Sequence, residues 1–79
     1  MDRGKLSRMT GRARYDDWAI EVDVLPAADG GWGQLGITVI GDEGRLERKI
    51  TPSANVFETP QSAIEDGKNL AVSWIKQHG

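Results

Sequence analysis

The sequence predicts a small α+β domain in which a three-stranded antiparallel β-meander carries one C-terminal α-helix on one face. Residues 18–51 alternate between apolar and polar side chains and are interrupted by two glycine-containing turns. Residues 59–77 show the spacing of three and four that is typical of an amphipathic helix. Short turns require antiparallel neighbours, and the helix must cover one sheet face to bury its apolar stripe. A chain of 79 residues has room for one core.

The first fourteen residues follow neither period, so we predict a disordered basic arm over residues 1–14 and a single domain over residues 15–79. The arm holds five basic residues and one acidic residue, a charge of +4 in a chain whose net charge is −2. A basic arm on an acidic body is typical of nucleic-acid binding, and a solvated leader without a partner is the alternative. The basic residues are Arg3, Lys5, Arg8, Arg12 and Arg14.

The first predicted strand covers residues 18–25. Trp18, Ile20, Val22 and Val24 share one face, and Glu21 and Asp23 lie on the other. Pro26 ends the strand because it has no N–H for the ladder. Asp29-Gly30-Gly31 then supplies the positive φ angles of a hairpin connection.

The second predicted strand covers residues 32–40, and the third covers residues 45–51. Strict alternation places Leu35, Ile37 and Val39 beneath the helix, with Trp32, Gln34 and Thr38 on the uncovered face. The turn between these strands is Gly41-Asp42-Glu43-Gly44. In the third strand Arg48 lies between Leu46 and Ile50, which indicates an edge strand. Val56 and Phe57 are expected in a loop that tucks beneath the start of the helix.

The predicted helix begins at Thr59-Pro60, because a hydroxyl can cap an unpaired N–H and proline suits the first helical position. Gly67 lies on its apolar stripe, where the missing Cβ allows a close approach to the sheet. The large apolar side chains of the strands and the helix are predicted to form the core. They are Trp18, Ile20, Val22, Val24, Leu35, Ile37, Val39, Leu46, Ile50, Phe57, Ile64, Leu70, Trp74 and Ile75.

The sequence contains no constellation that predicts catalysis, a metal or a cofactor. Cysteine is absent, and the one histidine, His78, lies next to the last residue, where a fixed acid–base role is not expected. The acidic pairs are expected to be solvated or paired across strands. Gly30-Gly31-Trp32-Gly33 precedes a strand, whereas phosphate loops precede a helix. No apolar run has the length of a membrane span, and a cytoplasmic location is the expectation.

One sheet face remains uncovered in this fold, so we predict a non-catalytic interaction module that binds a protein partner or a second copy. It would act through the open sheet face or an edge strand. Trp32, Gln34 and Thr38 are the candidate contact residues, with Trp32 as the aromatic anchor. A Trp32 folded over Leu25 or Ile40 is the alternative for that residue. The alternative function is nucleic-acid binding through the basic arm.

A set of short motifs resembles small uncharacterised bacterial proteins with three strands and a helix. Gly31-Trp32 with Leu35 and Ile37 carries part of the resemblance, and Phe57-Glu58-Thr59-Pro60 followed by Gly67 and Trp74-Ile75 carries the rest. The resemblance implies a fold and no reaction. A more distant look is to HicB-like antitoxins, which also place a helix after a three-stranded meander. The chain lacks their glycine-rich segment between the third strand and the helix.

Overall fold

The structure is a computed structural model that describes residues 8–28 and 30–78. It is an α+β fold in which an antiparallel sheet is covered on one face by a C-terminal helix. The elements are β1 (Met9–Tyr15), β2 (Trp18–Pro26), β3 (Trp32–Gly41), a 3₁₀ turn (Asp42–Gly44), β4 (Leu46–Ile50), β5 (Val56–Phe57) and α1 (Pro60–His78). The four main strands are arranged in the order β1-β2-β3-β4, and the short β5 also pairs with β3. The predicted meander of three strands is therefore extended by β1 and β5.

The prediction of a disordered arm over residues 1–14 is wrong for residues 9–14, which belong to β1. This strand pairs with β2 along its whole length, from Met9 opposite Val24 to Tyr15 opposite Trp18. Its inward side chains are small in the middle, since Gly11 and Ala13 lie beneath the helix, so the alternation carries little hydrophobic signal. Gly11 is required there, because a Cβ at this position would overlap the side chain of Ile64. Residues 1–7, including Arg3 and Lys5, lie outside the described part of the chain.

The second correction concerns β3, where a bulge breaks the alternation. Val24 pairs with Gln34 while the preceding Asp23 pairs with Gly36, so Leu35 has no partner on β2. Leu35, which we predicted to be buried, is consequently 48% exposed. Directly paired residues share a face, so Gln34 lies on the helix-covered face with Val24, and Trp32 lies there with Pro26. The prediction that Trp32 and Gln34 occupy the uncovered face is therefore wrong, because it assumed an unbroken period of two.

The helix begins and packs as its sequence indicates. The Thr59 hydroxyl oxygen accepts a hydrogen bond of 3.1 Å from the Ser62 N–H, which caps the N-terminus. The small residues of the stripe meet the sheet, and a Cβ at Gly67 would lie 2.6 Å from a methyl of Val22. Near its C-terminus, Trp74 packs edge-to-face on Trp18, with ring centroids 5.7 Å apart.

The fully buried core is a strip between the sheet and the helix. Its members are Ile20, Val22, Val24, Ile37, Val39, Ala63, Ala71 and Ile75. The other large side chains that we expected in the core are half-buried at its rim, except Leu35 and Leu70, which are exposed. Leu70 is turned toward solvent because close packing of the helix uses its small residues, Ala63, Gly67 and Ala71, and leaves Leu70 beyond the contact.

Candidate protein-interaction site

The sheet face opposite the helix, called the open face below, carries mainly polar side chains, together with the apolar Ala19, Leu25 and Ile40. Of the three candidate residues from the sequence, only Thr38 lies on it, since Thr38 pairs with Glu21 on β2 and Lys49 on β4. Trp32 packs against the core from the other side. The structure therefore does not bring Trp32, Gln34 and Thr38 together, and the aromatic anchor expected on the open face is not there.

Gln34 ties the β3 backbone to two other elements. Its Nε2 donates to the Ala63 carbonyl and to Asp66 Oδ2, both at 3.0 Å, and its Oε1 accepts from the Ser53 N–H at 2.7 Å. The two amide protons and the carbonyl oxygen are thus used within the fold. The arrangement holds the loop between β4 and β5 against the helix, so Gln34 acts as a tether and is not free to contact a partner.

A row of polar side chains crosses the open face from one edge to the other, in the order Arg12, Glu21, Thr38, Lys49. Arg12 Nε lies 3.3 Å from Glu21 Oε2, and Lys49 Nζ donates to the Thr38 hydroxyl at 3.3 Å. In the next row, the Thr10 hydroxyl donates to Asp23 Oδ1 at 2.6 Å. Of the acidic residues predicted to be solvated or paired across strands, Glu21 and Asp23 are paired, and their partners are on β1. These contacts engage Arg12, Lys49 and both carboxylates of β2, whereas Arg14 has no ion-pair partner among the described residues.

The outer edge of β1 has a different character. Tyr15 and Trp18 flank the two-residue turn Asp16-Asp17, a connection in which the flanking residues exchange hydrogen bonds. Because bonded and non-bonded pairs alternate, the backbone N–H and C=O groups of Thr10, Arg12 and Arg14 point away from β2. Among residues 8–28 and 30–78, no strand occupies that side. The edge is therefore a seven-residue strand with a free row of backbone donors and acceptors.

The two faces of β1 differ in chemistry along this edge. Thr10, Arg12 and Arg14 are exposed on the open face, where a shallow depression is lined by both arginines with Ala19 and Glu21. The opposite face consists of the inward residues of β1, among them Met9, which is 38% exposed. Beside them lies one side of the helix. Its residues Ile64, Lys68 and Val72, spaced by four, are all half-buried.

Side-chain clusters that could bind a metal ion are absent from the described part of the chain. No group of three His, Cys, Asp or Glu side chains in residues 8–28 and 30–78 is placed to hold a metal ion. The Nδ1–H of His78 donates to the Trp74 carbonyl at 3.0 Å, and the imidazole stacks on the Trp74 ring at 4.5 Å. His78 thus closes the end of the helix. No helix in the described part of the chain is long and apolar enough to cross a membrane.

Comparisons with protein-family models, with curated proteins and with solved structures give no match. The resemblance to small bacterial proteins with three strands and a helix therefore stays a prediction. The geometry defines the class of fold. It is an antiparallel sheet covered on one face by a helix, and among the described residues its edge strand β1 has no neighbour on its outer side. Sequence reasoning missed this edge, because Gly11 and Ala13 between Thr10, Arg12 and Arg14 give no hydrophobic alternation.

Proposed function

We propose that this protein is a non-catalytic interaction module that binds an extended segment of a protein partner along the outer edge of β1. The observation that carries the proposal is the edge strand Met9–Tyr15, whose outward backbone groups face no other strand of the described residues and are available to a further strand. Adding a strand to an exposed sheet edge is a recurrent mode of peptide recognition, with main-chain hydrogen bonds for affinity and alternate side chains for specificity. β1 supplies both.

The other surfaces support binding less well. On the open face, Arg12 already contacts Glu21 and Lys49 contacts Thr38, and a partner would have to replace those contacts. The β4 edge is shorter, at five residues, and three consecutive positions are charged. Arg48 lies there on the helix-covered side, opposite Val39, which is a common device against strand addition.

The geometry gives less support to the alternative of a nucleic-acid-binding arm. Of its five residues, Arg12 and Arg14 belong to β1 and Arg8 directly precedes it. The side chain of Arg12 is paired with Glu21, and Asp23 lies in the adjacent row. Carboxylates at those positions repel a phosphate backbone. A cytoplasmic location stays a prediction from the sequence.

Two substitutions at one position separate the edge backbone from its side chain. Both Arg12→Pro and Arg12→Ala remove the guanidinium, but only proline removes the outward N–H, and proline is tolerated at sheet edges. Native lysate treated with nuclease is passed over the immobilised full chain and both variants, after circular dichroism has shown that all three are folded. We expect Arg12→Ala, which also leaves Glu21 without its partner, to reduce capture only in part, and Arg12→Pro to abolish it. Equal capture by both variants, or capture that nuclease abolishes, would contradict the proposal.

A further inference from the structure

We infer that the segment bound by β1 alternates acidic and apolar residues, with its acidic side chains on the open face beside Arg12 and Arg14. This inference rests on the proposed function and adds the chemistry of the partner. A strand added to β1 would continue its pleat, so every second side chain would share the open face with the arginines. The intervening side chains would point to the helix side.

The open-face half of the argument is a charge argument. Arg12 has Glu21 as its neighbour on β2, but Arg14 is paired across the ladder with Ala19, which brings no charge. Asp17 and Glu43 line a depression together with Arg14. Within the described residues, however, Arg14 has no ion-pair partner within 4.0 Å, and its side chain is exposed. Opposite charges facing each other across strands are stabilising, and like charges are destabilising. An incoming carboxylate opposite or diagonal to Arg14 would bring a negative charge into direct contact with its guanidinium.

The helix-side half is a packing argument. Ile64 lies directly over Gly11, at a distance that leaves no room for a Cβ, so the helix side reaches over the middle of β1. The aliphatic stem of Lys68, one turn after Ile64, and the side chain of Val72, two turns after it, extend this apolar side of the helix. All three remain half-buried. Apolar side chains from an added strand would cover the part that is still exposed.

The inner neighbour of β1 shows which sequence the strand accepts. β2 contains Ile20-Glu21-Val22-Asp23-Val24, in which apolar residues alternate with carboxylates. Its carboxylates meet the open face of β1 in the Arg12–Glu21 contact and the Thr10–Asp23 hydrogen bond. A partner with the same alternation would repeat on the outer edge the chemistry that β2 provides on the inner one.

A second copy of the chain fits this edge poorly. In an antiparallel pairing of β1 with β1 of another copy, a two-fold axis at Arg12 would place the two Arg12 side chains directly opposite each other. An axis at Ala13 would place Arg12 opposite Arg14 of the other copy. Both arrangements oppose like charges on the open face, so we assign the edge to a different, acidic partner.

The test uses two capped nine-residue peptides that differ only in charge, one alternating valine with glutamate and the other valine with lysine. Each is titrated into the isotope-labelled full chain and followed by the amide resonances of β1. We expect the glutamate peptide to shift the resonances of Thr10, Arg12 and Arg14 and to bind roughly tenfold more tightly than the lysine peptide. The preference should shrink as salt is added. Arg14→Glu should remove it while leaving the fold intact.

The outcomes separate the two proposals. If both peptides bind at β1 with the same affinity, the acidic partner is excluded and the edge remains a binding site. If neither peptide shifts the β1 resonances, or if the shifts fall on other elements, both proposals fail. A single-stranded oligonucleotide in a third titration should leave β1 unchanged. Its binding at β1 more tightly than the glutamate peptide would assign the arginines to phosphate and overturn the inference.

Discussion

The two margins of the sheet are held in different ways and protected to different degrees. The β1 margin is held by apolar packing, with Ile64 seated on Gly11. Toward the other margin, formed by β4, the structure is held by a polar tether, because Gln34 of β3 joins the β4–β5 loop to the helix. β4 carries three charged residues in succession, whereas β1 alternates exposed polar residues with inward ones, of which the two in the middle, Gly11 and Ala13, are small. One margin therefore resists strand addition, and the other is suited to it.

The largest effect should come from removing the close approach at the β1 margin. Gly11→Val places a branched side chain where a single Cβ already overlaps Ile64, so β1 or the helix must shift. We expect the free energy of unfolding to fall by about 2–3 kcal/mol, measured by urea denaturation. Gly33→Val is the matched control, because a Cβ at Gly33 meets no atom within 4 Å. An equal loss in both variants would show that Gly11 is not a packing contact. Ile64→Ala combined with Gly11→Val should recover part of the loss.

The tether on the β3 side should give the next largest effect. Gln34→Leu removes three hydrogen bonds and leaves the Ser53 N–H without its acceptor. We expect a loss of about 1–3 kcal/mol and faster amide exchange at Ser53. Gln61→Leu makes the same chemical change on the exposed face of the helix and should alter stability by less than about 0.5 kcal/mol. Unchanged exchange at Ser53 in Gln34→Leu would contradict the tether.

Glycine substitutions in the turns at the two margins should have a smaller effect on stability, and the effect should be stabilising. Asp16, between β1 and β2, has φ 53°, and Glu43, between β3 and β4, has φ 56°. Aspartate tolerates the left-handed region better than glutamate does. We expect Glu43→Gly to stabilise the protein by roughly 0.5–1 kcal/mol and Asp16→Gly by less, both measured by thermal unfolding. Asp17→Gly is the control, since Asp17 has no positive φ and should lose stability. A gain at Asp17 equal to that at Glu43 would refute the assignment to backbone strain.

The smallest effect on stability is expected at the β4 edge, where the consequence is association. Arg48→Val replaces the charge between Leu46 and Ile50 by an apolar side chain and should change the unfolding free energy by less than about 0.5 kcal/mol. It should also make the mass in sedimentation rise with concentration, because the edge loses its protection. Lys76→Val makes the same change on the exposed face of the helix. If both variants associate equally, the added surface hydrophobicity causes the association, and the prediction that Arg48 protects the β4 edge is wrong.

The sequence predicted the parts of the fold that have strong periodicity. The helix, its Thr59 cap, the Gly67 contact and the three strands with Ile20, Val22, Val24, Ile37 and Val39 inside are all confirmed. β1 was missed because a glycine and an alanine lie beneath the helix and give no hydrophobic alternation. Such positions are recognisable only when the side chain that fills the space, here Ile64, is known to lie there.

The bulge explains why the candidate contact residues were only partly correct. The sequence pattern of β3 does not reveal that Leu35 is an extra residue in the strand. The predicted alternation therefore ran through Leu35 without a break and placed Trp32 and Gln34 on the wrong face. Thr38 follows the bulge and was placed correctly. The proposed edge depends on hydrogen-bond parity in β1, which follows from the two-residue turn and from the pairing of Tyr15 with Trp18. That pairing could be known only after β1 had been recognised as a strand.

The bulge at Leu35 also bears on how the length of the chain can vary. Gln34 and Gly36 pair with the adjacent residues Val24 and Asp23, so the two flanking positions would follow each other in a regular ladder if Leu35 were removed. Deletion of this one residue would leave Trp32 and Gln34 under the helix and Thr38 on the opposite side. We therefore expect natural homologues to differ by a single-residue insertion or deletion at this point more readily than elsewhere in β2 or β3.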